Sequence, residues 1–248
     1  MSGTRSPSPK AQATDTAIIV SHGQPSEPDP AEAVLADLTA RVAELMPGWR
    51  LASATLAKDG ALDAAISETG RDALVYPLFM TDGWFTQTTL PKRLDNPEAP
   101  ILSPLGTDPA LPALAADWLA QILDAHGWDA ADTCLIVASH GSGKSRNSAR
   151  DTERFVENLS ARLKFGDTRI GYIEEAPFLG DVAFETGAKA ICLPFFAAEG
   201  GHVTDDIPEA LDLAEFPGLR LHPIGTHEAI PALIADALRS KARAREAA

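Results

Sequence analysis

Short apolar runs rich in β-branched residues alternate along the chain with stretches in which apolar residues recur at helical spacing. In the first half the runs are TAIIVS, RLASATLA and ALVYPLF, and helices are predicted over residues 30–46, 61–68 and 111–125. Strands that alternate with helices are typical of parallel βαβ units. This part of the chain is therefore predicted to be an α/β domain with a parallel sheet.

The same order of elements then starts again, with the runs TCLIVAS, TRIGYIEE and AICLPFF and a helix predicted around residues 150–163. His22 and His140 each follow an apolar strand within the tripeptide Ser-His-Gly. Residues 70–91 also align without gaps on residues 187–208, with matching Gly, Ala, Pro and Phe positions. We interpret this self-similarity as an internal duplication, with a cleft between two similar halves. The predicted segments are a flexible tail over 1–15, an N-terminal half over 16–130 and a C-terminal half over 131–248.

The charge and the apolar content argue against several classes of protein. With 21 Lys and Arg against 35 Asp and Glu, the formal net charge is −14 at pH 7, and this field repels nucleic-acid phosphates and anionic lipid headgroups. No stretch approaches the ~20 apolar residues of a membrane span, and residues 1–15 lack the apolar stretch of a secretory signal. We expect a cytoplasmic protein without nucleic-acid or membrane partners.

The two cysteines, Cys134 and Cys192, lie inside apolar runs, which favours buried, reduced thiols. They form no Cys-x-x-Cys pair, and the chain has no His-rich tract. A zinc-ribbon or iron–sulfur site is therefore not expected. Any metal chemistry must use ligands that are scattered along the sequence.

Hydrogen-bond donors are concentrated in the loop Ser139–Ser148, which has the sequence SHGSGKSRNS. It contains the Gly-Lys-Ser end of a Walker motif, but the first glycine of that motif would fall on Ala138, so nucleotide binding is the weaker interpretation. The donors include Ser142, Lys144 and Arg146, and they precede a predicted helix whose N-terminus favours anions. Recognition of a carboxylate or phosphate and simple capping of the helix both remain open.

Two histidines follow strands of the second half. His140 comes directly after LIVAS, and His202 follows AICLPFF through a loop in which Gly200 and Gly201 would let the backbone approach a ligand closely. Because the ligand crevice of an open parallel sheet lies beyond the carboxyl ends of its strands, both imidazoles are expected to converge there. Imidazoles bind borderline divalent metals and exchange protons near neutral pH. A single histidine after a strand, in contrast, is more often a structural hydrogen-bonding group.

The first half provides an internal control for these residues. His22 corresponds to His140, but Phe85 stands in the position of His202. Only the second half therefore keeps both imidazoles. Trp84 and Phe85 are either ordinary core residues or a flat apolar wall for an aromatic ligand.

Acidic residues also distinguish the second half. Glu174 and Glu175 end the strand TRIGYIEE, where the first half has an alanine and a lysine. A carboxylate beside histidines can tune their basicity, accept protons or bind a metal. Alternatively, one of the two acids caps a helix at Pro177. Asp205 and Asp206 have the same ambiguity at the start of the next helix, where acids complement the helix dipole, and for Asp206 a structural role is the preferred interpretation.

The segments VASHGSGKSRNS and CLPFFAAEGGHVTDDIPEAL resemble the sirohydrochlorin chelatase family, the CbiX-type class II chelatases that insert a metal into a tetrapyrrole. This resemblance implies two Rossmann-like halves related by a pseudo-twofold axis, with the macrocycle in the cleft between them. It makes His140 and His202 the paired catalytic and metal-binding histidines and Glu174 the acid beside them. The first half departs from the family pattern because it lacks the second histidine and the acid, which leaves His22 as an auxiliary group.

The resemblance further implies a lyase-type enzyme of sirohaem or cobalamin biosynthesis that uses sirohydrochlorin and either Fe²⁺ or Co²⁺ as substrates, without a permanently bound cofactor. The donor loop, the two loop glycines and the aromatic pair would then bind the carboxylate-ringed macrocycle. The alternatives are a non-catalytic carrier of tetrapyrrole or metal and a phosphate-binding transferase. Because one chain supplies both halves, a monomer or weak homodimer is expected.

Overall fold

The structure, a computed structural model, describes residues 15–96, 98–142 and 147–247. The predicted tail up to residue 14 and the predicted donors Lys144 and Arg146 lie outside these ranges. The described strands are β1 (Thr16–Ser21), β2 (Arg50–Thr55), β3 (Leu74–Pro77), β4 (Cys134–Ser139), β5 (Asp167–Tyr172), β6 (Ala190–Pro194) and β7 (Leu219–Arg220). The described α-helices are α1 (Pro28–Leu45), α2 (Ala61–Thr69), α3 (Leu90–Leu94), α4 (Leu111–His126), α5 (Asn147–Ser160), α6 (Leu179–Ala183), α7 (Ile207–Leu213) and α8 (Ile230–Glu246).

The strands form two parallel sheets, one in each half. The first sheet has the order β2-β1-β3 and the second has the order β5-β4-β6-β7. The central strands β1 and β4 are almost completely buried, because helices cover both faces of each sheet. The predicted α/β fold of two similar halves with parallel sheets is confirmed.

Successive residues of each central strand pack in two different hydrophobic clusters. In β1, Ala17 and Ile19 belong to a cluster that both halves share, whereas Ile18 and Val20 belong to a cluster formed by the first half alone. Strand β4 divides its side chains in the same way between the shared cluster and one of its own half. This follows from the two-residue period of a strand. The two halves therefore share one core.

Helices of one half pack on the other half. Helix α8 contacts α1 and strand β3, and helix α4 contacts α5. Side-chain hydrogen bonds reinforce the first contact, since Arg41 in α1 donates to the carbonyl oxygen of Glu228 at 3.2 Å and Arg239 in α8 donates to the carbonyl oxygen of Leu45. Helices α2 and α3 cover the outer face of the first sheet, and α6 and α7 cover that of the second. Within the described ranges, no helix has the length and apolar content needed to cross a membrane.

Irregular elements are repeated together with the regular ones. A π-helical turn spans Phe85–Thr89 in the first half and His202–Asp206 in the second, and we name these the first and second π turns. Each continues without a break into an α-helix whose second residue is a proline, which has no N–H to donate to the preceding turn. A 3₁₀ turn, Leu105–Thr107 in one half and Ile224–Thr226 in the other, precedes the last helix of each half.

Gly106 and Gly225 occupy equivalent places in the two 3₁₀ turns, and each lies against the loop that leads toward the π turn of its half. A Cβ atom at Gly225 would lie 2.3 Å from the carbonyl oxygen of Ala197. We therefore expect Gly225→Ala to lower the free energy of unfolding by about 1–3 kcal/mol, because the backbone must move to relieve this overlap. Thermal unfolding should show a Tm lower by about 2–4 °C per kcal/mol. Gly180→Ala is the control, since its nearest contact would be an ordinary 3.6 Å, and an equal effect of both substitutions would contradict the argument.

Candidate functional site

Three side chains named in the sequence analysis meet beyond the carboxyl ends of β4, β5 and β6. Possible ligand atoms of His140, Glu174 and His202, one from each residue, all lie within 4.8 Å of one another. The two imidazole centroids are 4.5 Å apart with the rings edge to face, and Nδ1 of His140 lies 3.8 Å from Oε2 of Glu174. All three side chains are partly exposed, so a substrate can reach them. We name these three residues the His-Glu-His cluster.

The main chain places Glu174 beside His140. The pairing of β4 with β5 continues past both strands, because Ile173 and Glu174 donate to the carbonyl oxygens of Ser139 and His140 at 3.0 Å each. Gly141 then turns the chain with φ of 73°, in the left-handed region that favours glycine. A Cβ atom there would also lie 2.9 Å from side-chain atoms of neighbouring residues. The Ser-His-Gly tripeptide therefore requires its glycine at this position.

Nδ1 of each imidazole has a hydrogen-bond partner. For His140 the partner is the carbonyl oxygen of Gly141 at 2.9 Å. A carbonyl oxygen can only accept, so Nδ1 carries the proton and Nε2 carries the lone pair in the neutral ring. For His202 the partner is Oδ2 of Asp206 at 2.5 Å. The sequence analysis preferred a structural role for Asp206, in which its charge complements the dipole of α7. That role does not explain the bond to His202, and Asp206 makes no side-chain capping hydrogen bond to the helix.

The neighbouring acids Glu174 and Glu175 have different environments. Oε1 of Glu175 accepts a hydrogen bond from the backbone N–H of Ser142 at 2.7 Å, which anchors the loop after His140. Glu174 instead belongs to the His-Glu-His cluster. The expectation that one of them caps a helix at Pro177 is wrong, because α6 begins two residues later and its N-cap residue, Phe178, makes no side-chain capping bond.

The equivalent place in the first half is apolar. The ring of His22 packs on Phe85 at a centroid distance of 4.3 Å, and Phe85 in turn contacts Phe79 and Trp84. Burial lowers the pKa of His22, and the positive charge of Arg93 lowers it further. This environment keeps the His22 imidazole neutral. Among the described residues, a group of three or more possible metal ligands occurs only in the His-Glu-His cluster.

The first π turn nevertheless lies close to the second half. The backbone N–H of Asp82, just before that turn, donates to the buried Asp151 carboxylate of α5 at 2.8 Å. Trp84 is 65% exposed in the same loop, whereas Phe85 is half-buried. The structure thus ties the loop of Trp84 to the helix that follows the donor loop. The sequence analysis did not identify Asp151, because no sequence pattern indicates that this helix residue accepts a hydrogen bond from the backbone of Asp82 in the other half.

The remaining predicted residues fall into two groups. Gly200 and Gly201 are exposed in the loop before His202, and a Cβ atom at Gly200 would meet open space. A small side chain would therefore also fit at Gly200, and ligand binding by these two glycines stays a prediction. Both cysteines are buried and unpaired, as predicted, and burial raises the pKa of the Cys192 thiol to about 12, so this thiol stays protonated.

Comparison with known proteins gives consistent matches over both halves. The CbiX family model matches residues 16–122 and 134–241. The structure of a CbiX, described as the terminal enzyme for biosynthesis of sirohaem in denitrifying bacteria, is 45% identical, with a TM-score of 0.83 over 91% of this chain and 98% of that chain. SirB from Bacillus subtilis, solved with Fe³⁺, is 15% identical and has the same fold, with a TM-score of 0.72 over 94% of this chain and 98% of that chain.

A curated relative matches over a shorter length. A probable sirohydrochlorin cobaltochelatase of Halobacterium salinarum is 26% identical over 165 residues, which are 56% of this chain and 56% of the relative. The chain therefore matches about half the length of this curated relative.

Proposed function

The chain belongs to the CbiX family, and we propose that it is a chelatase that inserts a divalent metal ion into sirohydrochlorin, a tetrapyrrole. The observation that carries this proposal is the His-Glu-His cluster, which joins two imidazoles and a carboxylate at an accessible sheet edge. We further propose Fe²⁺ as the physiological metal and Co²⁺ as the alternative. The 45% identity to a CbiX of sirohaem biosynthesis favours iron, and the more distant resemblance to a probable cobaltochelatase favours cobalt.

The cluster has the ligand chemistry that the metal substrate requires. Imidazole nitrogen and carboxylate oxygen bind Fe²⁺ and Co²⁺, which are neighbours in the stability series. The two cysteine thiols of the chain are buried elsewhere, so the cluster is built from nitrogen and oxygen donors. Ligands of this kind, on partly exposed side chains, hold a metal ion without enclosing it. The ion can then pass from His140, Glu174 and His202 to the four nitrogens of the macrocycle.

Insertion also requires removal of two protons from pyrrole nitrogens. An imidazole accepts a proton near neutral pH, and a carboxylate nearby stabilises the imidazolium that forms. His140 has Glu174 at 3.8 Å, and His202 has Asp206 at 2.5 Å. Each histidine is therefore paired with an acid, and the cluster can accept both protons.

The macrocycle is flat and apolar on its faces and carries carboxylates at its edge. We propose that Trp84 contacts a face, because its exposed ring lies in a loop tied to α5. The backbone at Gly200 and Gly201 and the donors Ser142, Lys144 and Arg146 would bind the carboxylates. These local donors must offset the formal charge of −14, which repels an anion at long range.

Trp84→Ala is expected to raise the KM for sirohydrochlorin about 3- to 10-fold and to leave kcat within about 2-fold. Loss of an aromatic contact costs about 0.5–1.5 kcal/mol of binding, and 1.4 kcal/mol corresponds to a factor of ten. Steady-state kinetics at saturating metal measures both constants. The matched control is Phe184→Ala, which removes another exposed aromatic ring, at the end of α6. Equal KM values for the two variants would contradict a role of Trp84 in binding.

An anaerobic absorbance time course with sirohydrochlorin in excess over protein tests the proposed function. Parallel reactions receive Fe²⁺ or Co²⁺, each against a control without protein. Many turnovers per protein molecule above the control are expected, and the ratio of the two rates identifies the preferred metal. A spectral change limited to the amount of protein, with no rate above the control, would instead identify a carrier and overturn the enzyme assignment.

A further inference from the structure

The second π turn begins at His202 and ends at Asp206, and these two side chains are bonded to each other. The distance from Nδ1 of His202 to Oδ2 of Asp206 is 2.5 Å. Both side chains are partly exposed, so the bond lies at the edge of the site. In the first π turn the same two positions are Phe85 and Thr89, which cannot form such a pair. The pair therefore occurs in the half that has the His-Glu-His cluster.

We propose that Asp206 is a positioning residue that holds His202 in the Nδ1-protonated tautomer, so that Nε2 presents its lone pair to the metal substrate. This inference rests on the proposed function of the His-Glu-His cluster. An ionised carboxylate has no proton to donate, so the shared hydrogen must come from Nδ1 of His202. A carboxylate in this place also fixes the ring orientation and strengthens the other ring nitrogen as a ligand.

The turn itself keeps the two side chains together. The backbone N–H of Ile207 donates to the carbonyl oxygen of His202, which closes the wider loop of a π helix. Ile207 is buried in the outer cluster of the second half, so the core anchors the end of this turn. Asp206 precedes Ile207 directly and makes no side-chain capping bond to α7. Among the described residues, the bond that the structure shows for this carboxylate is the one to His202.

The two histidines of the cluster reach the same tautomer by different means. His140 donates Nδ1–H to a backbone carbonyl, which no side-chain substitution removes. His202 depends on one replaceable side chain. Asp206 also carries a carboxylate that contacts the cluster through His202. Substitution of Asp206 should therefore affect His202 and metal affinity without displacing His140.

Three variants separate positioning from a general effect of charge: Asp206→Ala, Asp206→Asn and Asp205→Ala. Asp206→Ala removes the acceptor. Asp206→Asn keeps an oxygen that can accept from Nδ1–H but removes the charge. Asp205→Ala removes an exposed acid from the same turn and is the matched control. The tautomer of His202 is read in the metal-free protein by long-range ¹H–¹⁵N correlation, and Co²⁺ affinity is read by absorbance titration.

In the wild type we expect Nδ1–H at His202. Asp206→Ala should lose this preference and weaken Co²⁺ binding about 10- to 100-fold. Asp206→Asn should keep the tautomer and lose less affinity, and Asp205→Ala should stay within about 2-fold of the wild type. An unchanged tautomer in Asp206→Ala, or an equal loss of affinity in Asp205→Ala, would overturn the proposal.

Both measurements are independent of turnover, so the two proposals can fail separately. If the wild type shows no chelation but Asp206→Ala changes the tautomer and the Co²⁺ affinity, the enzyme assignment fails and the positioning role stands. If the wild type is an active chelatase and Asp206→Ala leaves the tautomer, the affinity and kcat unchanged, the positioning role alone is wrong. Circular dichroism and thermal unfolding check that each variant is folded.

Discussion

His202→Ala is expected to lower the rate of metal insertion about 10²- to 10⁴-fold while sirohydrochlorin still binds. The substitution removes one of the two imidazoles and leaves His140 and Glu174 as an incomplete cluster. Proton transfer by a positioned imidazole contributes about this factor to a rate. Because the His202 side chain is partly exposed, its loss should leave the fold intact. The anaerobic absorbance assay measures the rate, and fluorescence quenching measures binding of the macrocycle.

The control for this experiment is His126→Ala. His126 lies at the end of α4, is exposed, and its Nδ1 lies 2.9 Å from the carbonyl oxygen of Ile122. Its loss should leave the rate within about 2-fold of the wild type. If His202→Ala kept the wild-type rate, or lost macrocycle binding to the same extent as the rate, the catalytic role of His202 would be wrong.

Glu174→Gln is expected to lower kcat about 100-fold, and Glu175→Gln is expected to have a much smaller effect. Glutamine at 174 keeps the size of the side chain but removes the negative charge from the His-Glu-His cluster, and with it a proton acceptor and an anionic ligand. Glutamine at 175 keeps an oxygen that can accept the backbone N–H of Ser142. Kinetics of the two variants under identical conditions decides which acid acts.

A third variant, Glu175→Ala, tests the loop-anchoring role. It removes one carboxylate acceptor of the partly buried Ser142 N–H, so we expect a loss of about 0.5–1.5 kcal/mol in stability together with a moderate loss of activity. Chemical unfolding measures the first effect. If Glu175→Gln were as inactive as Glu174→Gln, the assignment of Glu174 to the reaction and of Glu175 to loop anchoring would be wrong.

Most strands and helices were predictable because their side chains repeat with clear periods. Strand β1 begins and ends where its apolar run does, and residues 17–20 of that run are almost completely buried. Helix ends were less accurate. Leu163 continues the four-residue spacing of Phe155 and Leu159 and packs against the shared core, yet α5 ends at Ser160. The backbone N–H of Leu163 still donates to the carbonyl oxygen of Leu159 at 2.9 Å, so the apolar spacing follows a last helical turn that lies just beyond the assigned end of α5.

For the site, only the proximity of residues that directly follow neighbouring strands could be predicted. Parallel strands bring His140 and Glu174 to one edge, so their proximity followed from the strand assignment. The partners of Glu175 and Asp206 could not be assigned, because an acid near a helix start suits several roles equally well. The sequence signal for the bond between His202 and Asp206 was their spacing of four residues. This spacing could be interpreted only in the structure, where both residues lie in one π turn. The shared core was also not predictable, since periodicity identifies an apolar face but not the element that covers it.

The position of α8 has a consequence for the order of events on the ribosome. This helix is synthesised after every described strand of both sheets, yet it packs on α1 and on strand β3. The first half therefore lacks part of its apolar cover while the second half is being made, and contacts between distant parts of the chain form late. Nascent chains that stop before residue 230 should consequently be protease-sensitive in both halves, with resistance appearing in a single step once α8 has emerged.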